Sequence, residues 1–191
     1  MAEATRIIAE RGYLGFSLKE LAHRCQLTNA GVLHYFPSKD DVLLALLQYR
    51  VSQDKAALAW LSREGKSPHD LTLPSVYNVL RSIMERSTTQ PDIVRFYAVI
   101  RAEALHKNHP ARKFFLLREA ATLDIFEEML APHVRSARSK ARQVAALMMG
   151  LEDQWLHEGQ SFDLVKEWDR GAALLLPAMQ IRQSRKTPTV A

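Results

Sequence analysis

One cysteine, Cys25, stands among the 191 residues. A lone thiol excludes an intramolecular disulfide framework and suits a reducing compartment. No apolar run approaches the roughly 18 residues of a membrane-spanning helix, and no secretory leader pattern opens the chain. A glycine-rich phosphate loop, an HExxH helix, a cysteine pair and a serine elbow are all missing, so a catalytic reading has little support. Segments of alternating apolar and polar residues, which would mark strands, are missing too, as is any internal repeat. What is present is an ordinary globular composition, with 47% hydrophobic and 25% charged residues. The net charge of +5 and pI near 9.5 permit a nucleic-acid partner without demanding one.

The most informative stretch runs from Ser17 to Asp41, SLKELAHRCQLTNAGVLHYFPSKDD. Ser17 with Glu20 three residues later forms a capping-box pattern and opens a short helix to about Cys25. Gln26-Leu27 makes a turn, and Thr28 caps a second helix from Asn29 to about Tyr35. Pro37 stops it, because the residue before a proline disfavours helical dihedrals. Ser38 with Asp41 then opens a third helix. Leu18, Leu21 and Ala22 give the first helix an apolar stripe, and Leu27, Val32 and Phe36 do so around the second. Residues 4–13 supply a closing apolar face. Two short helices joined by a tight turn, with another packed behind, is the helix-turn-helix arrangement that reads DNA.

The run ERGYLGFSLKELAHRCQLTNAGVLHYFPSKDDVLLALL resembles the N-terminal domain of the tetracycline-repressor (TetR) family of transcription regulators. The matching pieces are Gly12-Tyr13, Phe16-Ser17, Leu21-Ala22, the Leu27-Thr28 turn and Tyr35-Phe36-Pro37-Ser38-Lys39. The match is motif by motif over about the first 50 residues and rests on the all-helical pattern beyond them. The resemblance implies that the second helix enters the major groove. Thr28, Asn29, Ala30, His34, Tyr35 and Lys39 are then the DNA-binding residues, with Thr28, Tyr35 and Lys39 toward phosphate. Two positions depart from the family pattern, Asn29 where lysine is common and Leu33 where a phosphate-binding tyrosine is common. Family members also carry a basic arm before the first helix, and this chain shows none.

Charge does not by itself point to DNA. Residues 1–50 hold six cations, Arg6, Arg11, Lys19, Arg24, Lys39 and Arg50, against Glu3, Glu10, Glu20, Asp40 and Asp41, for a net +1. Much of the excess lies in Arg135, Arg138, Lys140, Arg142, Arg182, Arg185 and Lys186. Binding therefore depends on where a few cations and hydroxyls are placed. An all-helical interaction module that does not bind DNA is the alternative reading.

The first helix is expected to stop at Gly12. A helical pattern from Ser38 to about Glu64 has its buried stripe at Val42, Leu43, Leu46, Leu47, Val51, Leu58 and Leu61. Its far end is expected in a second domain, and GKSPHD (65–70) reads as a linker. Further helices are expected at about 70–88, 91–106, 110–136, 139–159 and 162–183, followed by a frayed tail at 184–191. The expected fold is all-α with about nine helices. Its domains are a three-helix DNA-binding head (1–45) and a larger helical ligand-binding and dimerisation domain (46–183).

Helices 139–159 and 162–183 are apolar on more than one side, through Val144, Leu147, Met148, Met149, Leu151, Trp155 and Leu156, then Phe162, Leu164, Val165, Trp168, Leu174, Leu175, Leu176 and Met179. By resemblance these pair with a second copy in a homodimer. A dimer sets two heads about 34–36 Å apart to read a pseudo-palindrome in double-stranded DNA. The resemblance also implies a small-molecule effector in a pocket lined by Tyr77, Met84, Phe96, Tyr97, Ile100, Glu103, Phe114 and Trp155, with ligand binding releasing a repressor from its operator. Glu103, His106 and His109 share a helical stretch, but Pro110 makes that turn irregular and no metal site is expected. The expectation is a cytoplasmic bacterial regulator that is not an enzyme, uses no cofactor and has no membrane association.

Overall fold

The computed structural model describes residues 1–63 and 67–176, side chains excepted at 53–63. These residues form α1 (Ala2–Gly15), α2 (Leu18–Arg24), α3 (Asn29–Tyr35), α4 (Lys39–Arg63), α5 (Leu73–Thr89), α6 (Pro91–Glu103), α7 (Arg112–Leu130), α8 (Ala137–His157) and α9 (Leu164–Leu175). No strand occurs among the described residues. The fold is all-α, as the periodicity requires.

Compaction divides the chain into Met1–Gly65 with Gln90–Ala121, and Lys66–Thr89 with Thr122–Ala191. A division is expected near residue 45; packing draws its line elsewhere. The whole of α4 belongs with the head, joined by α6 and the first half of α7.

In the first unit α1 lies along α6, and α2 packs on both α3 and α1. Ile7 and Ile8 of α1, Leu21 of α2, Val32 of α3, Leu43 and Leu47 of α4, and Phe96 and Ile100 of α6 share one buried cluster. Each such aliphatic side chain contributes about 1.5–3 kcal/mol relative to exposure. Residues Val42, Leu43, Leu46 and Leu47 are buried as the stripe predicts and Val51 is half-buried, while Leu58 and Leu61 lie outside the described side chains.

Two local expectations are modified. The first helix breaks at Gly12 (φ 71, ψ 176), but one more turn follows to Gly15. Leu27 is 55% exposed instead of joining the core. Gln26 takes left-handed dihedrals (φ 56), and this twist lets the Leu27 N–H donate to Ala22 O at 2.9 Å while the side chain stays in solvent.

In the second unit α9 packs against both α5 and α8. Trp168 and Leu164 of α9, Leu80 and Met84 of α5, Met129 and Leu130 of α7, and Val144 of α8 are almost wholly inaccessible. A Cβ at Gly171 would lie 2.8 Å from Leu147 Cδ2, so α8 and α9 approach closely where a side chain is missing. Polar ties run across the helices as well. The Tyr77 hydroxyl donates to Asp169, which also receives Arg81 Nε at 3.1 Å. The buried Ser87 hydroxyl donates to Glu152 Oε1 at 2.6 Å.

Helix ends differ from the expected ones for identifiable reasons. Asp70 accepts from the Ser67 N–H at 2.8 Å and closes a short 3-10 turn at Pro68–Asp70 inside the expected linker; its residues 65 and 66 lie outside the described ones. Helix α6 ends at Glu103, where the Arg112 guanidinium donates to Leu105 O at 2.9 Å. Pro110 stays in the loop before α7, and Leu130 ends that helix two residues before Pro132. Helix α8 stops at His157, before Gly159 turns left-handed (φ 63). Asp163 caps α9 through the Lys166 N–H at 3.0 Å. The remainder of the expected 162–183 helix, with Met179, and the expected tail lie outside the described residues.

Candidate nucleic-acid interface

The N-caps read from the sequence are formed, but the reciprocal half of each expected capping box is not: Glu20 receives Arg11 and Arg24, and Asp41 receives the Ser38 hydroxyl. Ser17 Oγ accepts the Glu20 N–H at 3.2 Å, Thr28 Oγ1 accepts the Gly31 N–H at 3.0 Å, and Ser38 Oγ accepts the Asp41 N–H at 3.2 Å. Each satisfies a donor that the helix start would leave open. Together they fix where α2, α3 and α4 begin, and hence which face α3 presents.

Only Val32 of α3 is buried. Thr28, Asn29, Ala30, Leu33, His34 and Tyr35 are exposed, with Lys39 half-buried at the start of α4. Five of the six expected DNA-binding residues are thus open to solvent along α3 and its cap, and the sixth, Lys39, is half-buried. Tyr35 is 75% exposed, its ring edge-on to His34 at 5.2 Å between centroids. A ring in that position adds little to the core. Small Ala30 and Gly31 between polar neighbours allow close approach to a groove.

Cation placement sharpens the picture. Arg6 pairs with Glu3 at 2.8 Å, Arg11 with Glu20 at 2.9 Å, and Arg24 with Glu20 at 3.1 Å. Lys19 and Lys39 have no carboxylate within ion-pair distance among the described residues. Lys39 Nζ instead lies 4.3 Å above the Tyr13 ring. Sequence reasoning passed over Lys19, whose signal was present: an exposed lysine in the first turn of α2, two residues after its capping serine.

Tyr13 was not foreseen as part of this region either. Its hydroxyl donates to Asp40 in the first turn of α4, and its backbone N–H is received by Glu103 Oε2 at 3.0 Å. The ring also meets His109 edge-on at 5.1 Å. His109 Nε2 stands 3.5 Å from Glu103 Oε2, and the His109 side chain is 8% exposed. Burial holds the His109 imidazole below the usual histidine range, against the opposing pull of Glu103. No sequence signal connects positions separated by 90 residues.

The expected pocket residues fall into the two units. Phe96 and Ile100 are buried in the first, where Tyr97 contacts Phe96 and Phe115, and Phe114 contacts Phe115. The carboxylate of Glu103, expected to line the pocket, receives the Tyr13 backbone N–H. Tyr77, Met84 and Trp155 lie in the second unit. The Tyr77 hydroxyl is engaged by Asp169, and burial first, then that hydrogen bond, pushes its pKa up to about 12. A solvent-open groove on the second unit is lined by Leu151, Gln154, Glu158, Phe162 and Glu167, none of them among the eight. Among the described residues no three His, Cys, Asp or Glu side chains converge as metal ligands. No described helix is long and apolar enough to cross a membrane.

Comparison with known proteins shows what the head is similar to. Residues 1–46 match the sequence profile of "Bacterial regulatory proteins, tetR family". The "uncharacterized HTH-type transcriptional regulator YuxN" of Bacillus subtilis (strain 168) is 27% identical over 82 residues, which are 43% of this chain and 28% of that protein. The chain therefore matches little more than a quarter of this curated relative's length.

The fold is shared much further. The transcriptional regulator FadR from Bacillus subtilis, solved with stearoyl-CoA, superposes with a TM-score of 0.74 at 16% identity, over 92% of this chain and 95% of that one. AibR, solved with isovaleryl coenzyme A and operator DNA, gives 0.66 at 21% identity, over 91% and 94%. At such identities the likeness speaks for fold. Over residues 1–46, where α2 and α3 carry their caps, the chain is similar to the tetR family of bacterial regulatory proteins, and over the rest it shares the fold of these regulators.

Proposed function

We propose that this chain is a ligand-responsive, DNA-binding transcriptional regulator, acting as a repressor that a small molecule releases from a pseudo-palindromic operator. The observation that carries the reading is the surface of α3, where Thr28, Asn29, Ala30, His34 and Tyr35 are exposed together beside Lys39. Only Val32 of that helix is used by the core. Residues 1–45 then serve as the reading head and 46–183 as the effector and dimerisation part.

The head is close to neutral, and several of its arginines are already paired with glutamates. One head then makes few phosphate contacts, which favours a two-headed reader. A homodimer through α8 and α9 fits that need. Leu174 of α9 is 76% exposed, and Met149 and Leu151 of α8 are half-buried. Apolar side chains left in water on helices already packed on another side call for a further partner.

The effector acts by favouring a head arrangement unsuited to the operator. A coupling of about 1–3 kcal/mol changes affinity about 5–150-fold. FadR and AibR were each solved with a coenzyme A thioester, so acyl-CoA thioesters of short and long chain are the first class to try. The near-neutral head is the one observation favouring a helical interaction module without DNA binding.

Selection of duplexes from a random pool, followed by titration of the full chain at two salt concentrations, separates the two readings. The regulator reading expects a specific duplex whose affinity falls steeply with salt. Absence of any selected duplex at low salt overturns it. For the effector, reciprocity requires that a compound lowering DNA affinity be itself bound less tightly by the DNA complex. A compound that binds without changing DNA affinity is not the inducer.

A further inference from the structure

Gly12 interrupts α1 with dihedrals that suit glycine, and the space its missing side chain leaves is taken by a carboxylate. A Cβ built there would lie 2.3 Å from Glu103 Oε1. Both Glu103 oxygens receive the next residue's backbone N–H, at 3.2 and 3.0 Å. The break in α1 frees that N–H from its helical partner, and the ionised acceptor makes the replacement bond a strong one. From Tyr13 the connections continue to the DNA-facing end. Its hydroxyl donates to Asp40, and its ring lies under Lys39 Nζ at 4.3 Å. The segment after Glu103 is itself held, since the Arg112 guanidinium donates to Ala104 O and Leu105 O at 3.4 and 2.9 Å. His109 Nδ1 accepts the Ala111 N–H at 3.2 Å, so the neutral ring carries its proton on Nε2, facing Glu103.

We infer that Glu103, at the C-terminus of α6, is a positioning residue for DNA binding: it holds the α1 break and, through Tyr13, places Lys39 and the start of α4 for phosphate contact. The inference rests on the DNA-binding reading given above and names the residue through which α6 acts on the head. Neither Glu103 nor Tyr13 lies on α3 or touches the groove. Both act only through the position of α4's first turn. Tyr13 supports Lys39 from below, so a displaced ring leaves the ammonium group without its platform.

The test uses the full chain and a duplex selected from a random pool by the wild-type protein, at a temperature where circular dichroism shows each variant folded. Glu103→Ala is expected to lose about tenfold or more in affinity, inside the range of ordinary coupling effects. The slope of its log-affinity against log-salt plot is also expected to become shallower, as phosphate contact by Lys39 is lost. Glu103→Gln keeps an acceptor oxygen for the Tyr13 N–H and is expected to restore most of the affinity. Phe96→Leu, which loosens the same core and leaves the Glu103 carboxylate in place, is expected to bind with the wild-type slope.

Wild-type affinity and slope in folded Glu103→Ala overturn the inference, and so does an affinity loss with the slope unchanged. Where Glu103→Ala does not fold, Glu103→Asp, one methylene too short to reach Tyr13, is judged by the same two criteria. Failure of the wild-type protein to select any duplex is a separate result, and overturns the DNA-binding reading itself.

Discussion

Replacing Lys39 with methionine removes one positive charge and little else, which makes it the most direct probe of the reading head. The lysine has no carboxylate partner among the described residues, and its ammonium lies 4.3 Å above the Tyr13 ring. Methionine keeps an unbranched stem over that ring, so the packing change is small. The lost cation–π contact is worth about 0.5–2 kcal/mol at a half-buried site, too little to unfold a head whose core includes Ile7, Ile8, Leu43 and Leu47.

If Lys39 neutralises one phosphate per head, each dimer loses two contacts. At about 0.9 per phosphate, the slope of log affinity against log salt becomes shallower by about 1.8. Across a fourfold rise in salt, from about 50 to 200 mM, the variant then loses about tenfold less affinity than the wild type. Fluorescence anisotropy with the wild-type-selected duplex at four or five salt concentrations reads the two slopes side by side. Parallel lines would falsify the assignment, whatever the offset between them. A change in slope near 0.9 in place of 1.8 would point to only one engaged head.

Three further outcomes follow from individual contacts. Thr28→Ala removes the acceptor for the Gly31 N–H at 3.0 Å and is expected to lower unfolding free energy by about 1 kcal/mol, read by urea denaturation; no change would show that water replaces the cap. Leu174→Glu puts a charge at a 76% exposed apolar position and is expected to shift the chain toward monomer in sedimentation velocity, with helical content kept; an unchanged dimer would move the interface off this face of α9. Burial keeps the His109 pKa below its unfolded value of about 6.5, with Glu103 and Asp40 opposing, His106 adding to the depression and the Tyr13 ring packed alongside. Above about pH 6.5 both states leave this ring neutral; as pH falls below it the unfolded chain takes up the proton first, so stability decreases until the folded pKa is passed. The thermal midpoint should therefore fall between pH 7.5 and 5.5, and fall less in His109→Gln; equal falls would exclude His109 as the cause.

Leu27 and Glu103 mark the two ways in which tertiary structure departed from the sequence pattern. Leu27 has the spacing of a core residue, yet the left-handed Gln26 before it leaves it exposed. Periodicity assumes continuous helical rotation, and a turn residue resets the phase. Glu103 sits among aromatic and aliphatic residues on α6, which made it look like a handle for a ligand. Its carboxylate is taken by a backbone N–H 90 positions earlier, and nothing local announces such a pairing.

What the sequence determined by itself was the reading head. Ser17, Thr28, Ser38 and Pro37 act within three or four residues of themselves, so their caps and stops follow from local chemistry and appear in the structure where the spacing put them. The exposed set on α3 follows in turn, since a seven-residue helix with one buried valine leaves the rest outside. What only the tertiary structure decided was how packing groups the helices behind it. That α4 and α6 close the head's core while α5, α8 and α9 form another depends on which apolar stripes meet. Many stripes of similar width could meet, and the choice is made by long-range fit, at Gly171 against Leu147 and at Gly12 against Glu103.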